Sequence, residues 1–192
     1  MILRVMTLIG IFLSMSACSV SPKPDVYLLT AIESEATIQT TQKPVRIYIK
    51  EIVFPEFLDR PQMVTRKDSQ LEVHEFQRWG EPLKSTFMRV FREDLLMRTN
   101  KAQVIVRKPY SAMEFDYQLY LDVSYFYIYA GQEARLTVSW FLLNAQGNET
   151  LFSAVEKIIV PLQRRSVDAE VKALSNAIGK LADKVAAELV KQ

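Results

Sequence analysis

Few side chains in this sequence could do chemistry, and spacing limits each of them. Cys18 is the only cysteine and follows Ser16 and Ala17. A lone thiol can be acylated, but it can form neither an internal disulfide nor a cysteine-based metal site. His74 is the only histidine. A histidine-assisted nucleophile or a metal centre needs partners that the chain does not offer in a recognisable spacing, so His74 reads as a residue of a surface hairpin. Asp116 and Asp122 share one strand face, yet six residues at about 3.3 Å each hold them about 20 Å apart. That separation is too large for two carboxylates acting on one bond. The five glycines are scattered and build no nucleophile elbow, phosphate loop or dinucleotide fingerprint. No catalytic residue and no metal ligand is assigned, and the expectation is a protein that is not an enzyme.

The surroundings of Cys18 give its thiol a role. Arg4 supplies positive charge, Val5 to Leu13 form a short apolar run, and small residues follow. A bilayer-spanning helix needs roughly 20 apolar residues, so this run has the design of a secretory signal. Met15-Ser16-Ala17-Cys18 resembles the lipobox of bacterial lipoproteins, with Met15 where leucine is usual. By that resemblance residues 1–17 are removed. Cys18 then carries diacylglycerol and an N-acyl chain such as palmitate, and no other cofactor is expected. One acyl chain gives only marginal attachment, whereas two or three hold lastingly. The other reading is a cleaved signal with an incidental cysteine near the cut. Ser19 stands where an aspartate would signal retention in the inner membrane, so the resemblance implies the periplasmic face of the outer membrane. Residues 18–26, with Pro22 and Pro24, are then a lipidated tether, and 27–192 a single periplasmic domain.

Composition narrows the partners. The net charge is +2 at pH 7, and Arg4 supplies one of those units. This near-balance lacks the basic excess of a nucleic-acid binder. Beyond the signal no apolar run is long enough to span a bilayer.

The elements follow from periodicity. Tyr27-Leu28-Leu29 reads as a short strand, Ala31 to Lys43 as a loop, and Val45 to Phe54 as a half-buried strand ended by Pro55. Met63 to Arg66 and Leu71 to Gln77 form a hairpin across Lys67-Asp68-Ser69-Gln70. Its two-sided polarity predicts an exposed or edge position. Pro82 suits the first position of a helix whose apolar face is Leu83, Phe87, Val90, Phe91 and Leu95, with Asn100 as its C-terminal cap. Gln103 to Arg107 is a further short strand.

A three-stranded antiparallel meander follows, Phe115 to Tyr129, Ala134 to Leu142 and Leu151 to Val160. In its first strand Leu119, Leu121, Val123, Tyr125, Tyr127 and Tyr129 share one parity and read as the core face, the tyrosines alternatively as an aromatic surface for a partner. Tyr48, Tyr120 and Phe126 lie on opposite parities and are candidates for an exposed patch. Ile158-Ile159-Val160 predicts a strand end covered on both sides. Ser166 caps a last helix, with Asp168 and Glu170 in its first turn and an apolar stripe from Val167 to Leu189. The predicted fold is α+β: a single domain with a mainly antiparallel twisted sheet and two amphipathic helices packed on it.

Three segments carry a second resemblance: Tyr27-Leu28-Leu29, Leu58-Asp59-Arg60-Pro61-Gln62-Met63-Val64 and Arg78-Trp79-Gly80-Glu81-Pro82-Leu83. In order and spacing they resemble the PqiC-type lipoproteins, auxiliary components of ABC-type and MCE-type lipid transport systems. The resemblance implies an outer-membrane lipoprotein whose periplasmic domain docks or receives an MCE-domain protein reaching from an inner-membrane complex. It implies no catalysis. Self-association into a ring fits that role, although nothing in the sequence sets a subunit number. The motif residues have a structural reading, an Asp59–Arg60 ion pair fixing the turn and Trp79 as a hydrophobic staple. They also have a docking reading, in which Arg60, Gln62, Arg78 and Trp79 form the partner-binding patch. A lipid carrier with a ligand between sheet and helices, and a structural envelope-assembly lipoprotein, are the alternatives.

Overall fold

The computed structural model describes residues 22–33, 45–99, 103–105 and 114–191. The signal segment 1–17, Cys18, most of the expected loop before residue 45 and the Asn100 cap lie outside them. Among the described residues the elements run β1 (Asp25–Tyr27), β2 (Arg46–Val53), β3 (Gln62–Lys67), β4 (Gln70–Trp79), α1 (Leu83–Arg98), β5 (Gln103–Ile105), β6 (Tyr117–Tyr129), β7 (Glu133–Asn144), β8 (Thr150–Pro161) and α2 (Val167–Leu189).

β6 is the axis of the sheet. One of its edges pairs antiparallel with β7 along almost its whole length, and β8 pairs with β7. The other edge is shared: β2 runs parallel beside Tyr117 to Asp122, and β3 runs parallel beside Ile128 and Tyr129. β4 and β1 extend the sheet from β3, and β5 extends it from β2. The two longest ladders, β6–β7 and β7–β8, are antiparallel, while β1–β4, β2–β5, β2–β6 and β3–β6 are parallel. The result is a single α+β domain on an open, mixed sheet.

Both helices cover one face of it. In α1 the predicted stripe Leu83, Phe87, Val90, Phe91 and Leu95 is buried, and Pro82 sits one position earlier than expected, at the N-cap. Ser166 caps α2 as predicted, its Oγ accepting the Ala169 N–H at 3.2 Å. Phe87 meets Phe54 and Phe126 edge-on at 5.0 and 5.2 Å between ring centres. This aromatic cluster ties α1 to β6.

Three expectations are corrected. A bulge between Val123 and Tyr125 leaves Ser124 unpaired and reverses the alternation of β6. Phe126 and Ile128 therefore enter the core, and Tyr125, Tyr127 and Tyr129 turn to the helix-free face opposite Thr137, Arg135 and Glu133. Phe126 is thus no part of an exposed patch. The exposed or edge position expected for the β3–β4 hairpin holds for β4, which is exposed over most of its length and pairs with β1 only at Gln77–Trp79, but not for β3, which lies between β4 and β6 with Met63, Val64 and Thr65 buried. The end of β8 is covered on one side only, since Ile158 and Val160 are buried and Ile159 is exposed.

A buried ion cluster fastens the segment after β1 to both helices. Arg98 and Asp94 are 3% and 0% exposed, one turn apart on α1. The Arg98 guanidinium donates to Asp94 Oδ1 at 3.1 Å, to the Asp94 carbonyl at 3.0 Å, to the Ile32 carbonyl at 3.3 Å and to the Asp183 carboxylate of α2. Asp94 Oδ1 in turn accepts the Ile32 N–H at 2.8 Å. Gly179 leaves the room, because a Cβ there would lie 3.0 Å from Arg98 Nη2. Asp94 Oδ2 is buried with no hydrogen-bond partner. Burial pushes the Asp94 carboxyl up to about 6, outweighing the opposing pull of the Ile32 N–H and Arg98.

A raised carboxyl binds its proton more tightly in the folded state than in the unfolded chain. Its contribution to stability is therefore full below the unfolded value of 3.8 and is lost as pH rises to about 6. Asp94→Asn is expected to remove this slope, so urea unfolding at pH 4 and pH 7 should differ less for the variant than for wild type. The difference should be at most about 3 kcal/mol, at roughly 1.4 kcal/mol per pH unit. Arg98→Met, which strands the buried carboxylate, is expected to cost about 3–5 kcal/mol at pH 7 and less at pH 5, where Asp94 is protonated.

Candidate functional site: a cleft where three distant segments meet

The site begins where β2 stops. Pro55 ends that strand, and a single 3-10 turn at Glu56–Leu58 redirects the chain. The turn is closed by backbone bonds, Leu58 N–H to the Pro55 carbonyl and Asp59 N–H to the Glu56 carbonyl, both at 3.0 Å, and Arg60 N–H to the Leu58 carbonyl at 2.9 Å. Leu58 points into the core, while Asp59 and Arg60 are exposed. No Asp59–Arg60 ion pair forms, contrary to the sequence expectation. The backbone bonds and Pro61 hold the turn without it.

This turn lies against the end of β4. Trp79 N–H donates to the Pro61 carbonyl at 2.7 Å, and Gln62 pairs with Arg78. On the far side Gly80 N–H donates to the Tyr27 carbonyl at 2.9 Å, bringing in β1. A side chain at residue 80 would crowd Val26 and Leu28, whose carbons lie 3.0 and 3.1 Å from the Cβ position. All three motif segments thus converge on one corner of the sheet. Between Asp59–Pro61 and Trp79–Pro82 they leave an open cleft of about 330 Å³.

The four candidate residues are differently placed. Arg60 is fully at the surface, and Gln62 and Arg78 are half-buried. The Arg78 Nε donates to the Glu75 carbonyl at 3.2 Å, which holds the guanidinium along the strand. Trp79 is only 9% exposed and belongs to the core, so just its edge reaches the cleft. Glu81 accepts from Thr86 at 3.1 Å and faces Arg89 at 3.6 Å.

Elsewhere, His74 lies in the hairpin with its Nε2 3.0 Å from Thr65 Oγ1. Asp116 accepts the Arg46 N–H at 2.8 Å, far along β6 from Asp122. Among the described residues no group of three or more His, Cys, Asp or Glu side chains is placed to hold a metal ion. Phe87, Phe91, Phe126 and Trp140 fill the layer between sheet and helices, where a carried lipid would have to sit.

Sequence reasoning missed a ladder on the helix-free face. Arg66 lies 5.6 and 5.5 Å from the Tyr125 and Tyr127 ring centres, and Arg135 lies 3.5 Å from that of Tyr129. Tyr129 Oη donates to Asp68 at 3.1 Å. The parity count placed these rings on the helix-covered face, and the bulge at Ser124 moves them to the other one, where Tyr125 is exposed and Tyr127 stays buried, 5% exposed, under its neighbours.

The chain belongs to the family described as ABC-type transport auxiliary lipoprotein component, whose profile matches residues 27–186. That is not an enzyme family, and membership makes the chain a membrane-anchored lipoprotein associated with a transport system. The chain matches none of the curated proteins. Among solved structures it is similar to an uncharacterized protein, with a TM-score of 0.72 and 15% identity over 88% of this chain and 99% of the other. It is also similar to a protein from Xanthomonas campestris, with a TM-score of 0.60 and 19% identity over 86% and 95%. At these identities the likeness is one of fold.

The two halves of the motif separate by stability. Trp79→Ala is expected to cost about 3–5 kcal/mol in urea unfolding, the usual range for a buried tryptophan. Arg60→Glu should stay within about 0.5 kcal/mol of wild type, as exposed substitutions generally do.

Proposed function

We propose that this chain is the lipid-anchored periplasmic subunit of an MCE-type intermembrane lipid transport system. It is held in the outer membrane through Cys18 and docks the MCE protein at the Arg60 cleft. The observation that carries this reading is the convergence of residues 27–29, 58–64 and 78–83 on one exposed corner. Packing alone asks for a buried Trp79, but not for an arginine left unpaired by Asp59 at the rim beside it. Arginine is a frequent interface anchor, and a half-open cleft next to a rigid tryptophan suits a protruding loop of a partner. The filled core supports docking over carriage, because a carried lipid needs an apolar cavity of some hundreds of Å³. In this reading Gln62 and Arg78 flank the contact, and the acyl chains on Cys18 hold the domain within reach of the membrane.

The test is crosslinking in cells followed by capture of the tagged lipoprotein from solubilised envelopes. Wild type should recover an MCE protein, and Arg60→Glu should reduce that recovery at least tenfold at equal folded abundance. Cys18→Ala should release the domain from the membrane fraction. Equal recovery with Arg60→Glu would move the interface off the cleft, and no MCE protein under any condition would overturn the docking reading.

A further inference from the structure

β8 ends at Pro161, and Ser166 caps α2 after a short loop. The strand end and the first turns of the helix do not close on each other, and they leave an open cleft of about 400 Å³. Its floor is apolar, formed by Val160, Ala169 and Ala173. Small side chains at 169 and 173, one helical turn apart, leave that floor clear. Asp168, Lys172 and Asn176 follow one another at four-residue spacing along α2 and line one wall. Gln163 and Arg164 of the connecting loop complete the lining.

The polar groups of this cleft are uncommitted. Among the described residues, no hydrogen bond or ion pair engages the side chain of Gln163, Arg164, Lys172 or Asn176. Charge separates this cleft from others on the molecule. Two cations, Arg164 and Lys172, stand against one carboxylate, Asp168, which leaves its lining at +1. The cleft beside Trp79 sets Asp59 and Glu81 against Arg60, and the one beside Tyr117 sets Glu114 and Asp116 against Arg46, so each is at −1. A concave site with an apolar floor and a few convergent polar groups suits a small molecule that is apolar at one end and polar at the other. The excess positive charge makes that polar end an anion.

We propose that this cleft binds a phosphodiester of the kind phospholipid headgroups carry, with the phosphate between Arg164 and Lys172 and the glycerol end on the alanine floor. A phosphodiester bears one negative charge, which the single excess positive charge of the lining matches. A phosphomonoester bears about −1.5 to −2 at pH 7, and its extra charge would meet the Asp168 carboxylate. Arginine can grip two phosphate oxygens at once, and lysine adds a point charge. The amides of Gln163 and Asn176 supply N–H donors for the remaining oxygens. A headgroup is thus held at the surface while acyl chains stay outside a core that is already filled. This inference goes beyond the docking reading and does not depend on it, because neither Arg60 nor the Trp79 cleft takes part.

The test is calorimetric titration of the full chain in a maltoside detergent. The probes are dihexanoyl phosphatidylglycerol, its deacylated headgroup glycerophosphoglycerol, and inorganic phosphate. Arg164 and Lys172 are both exposed, so the double variant Arg164→Gln, Lys172→Gln should fold and melt as wild type does. The expected result is saturable binding of the short-chain lipid to wild type, and at least tenfold weaker binding to the double variant. Both proteins are titrated in the same detergent, which cancels partition of the lipid into micelles. Asp168→Asn should let inorganic phosphate bind several-fold tighter, and Arg60→Glu should bind the lipid as wild type does even where it loses the protein partner. Glycerophosphoglycerol binding as tightly as the lipid would keep the phosphodiester site and assign it to a soluble ligand. Equal affinity of wild type and double variant, or no binding of either diester, would overturn the inference. Inorganic phosphate binding wild type as tightly as the diesters would overturn it as well.

Discussion

The structure depends on the way one strand's edge is divided. β6 is 13 residues long, and β2 and β3 share the edge that β7 leaves free. They cannot form one continuous strand, because Pro55 ends β2 and the chain must turn before it can rejoin β6. The turn that makes this step is the Leu58-Asp59-Arg60-Pro61 segment. Leu58 fastens it to the core, and the Trp79 N–H bonded to the Pro61 carbonyl fastens it to β4. The cleft is thus a consequence of sheet topology: a break in the pairing of one edge leaves a loop that the neighbouring hairpin then braces.

The second constraint is the layer that closes the core. α1 and α2 cover a single face, and the Arg98–Asp94–Asp183 cluster locks them together with the Ile32 backbone. Such a cluster is costly to build, since two buried charges must lose water before they attract each other. Its geometry shows what that cost secures: three segments far apart in sequence are held in one register just downstream of β1. Thr30 N–H bonded to Ser175 Oγ at 3.2 Å adds to the same fastening.

The face opposite the helices is left open among the described elements, and its chemistry is mixed rather than uniformly polar. Its centre carries the arginine–tyrosine ladder, in which Tyr127 is buried and Tyr125 exposed beside the Arg66 guanidinium. At its β1 edge the exposed Val26 and Leu28 meet over Gly80.

Local patterns were legible in the sequence because they are set by neighbours along the chain. The stripes of α1 and α2, the Ser166 cap, the hairpin turn at Asp68-Ser69 and the meander from Tyr117 to Pro161 all follow from spacings of two or of three and four residues. The lipobox resemblance and the three motif segments pointed to the family for the same reason. What periodicity could not supply was anything decided by pairing across long stretches of chain. A single unpaired residue, Ser124, exchanges the two faces of β6 from there on, and no count of alternation sees it. The interior place of β3 depends on its parallel pairing with residues more than 60 positions away. The Asp59–Arg60 pair expected from adjacency does not form, because backbone bonds already hold that turn. Sequence determined which segments matter and what elements they form. Only the tertiary structure decided that they meet, because burial and strand pairing act between residues that the chain itself keeps far apart.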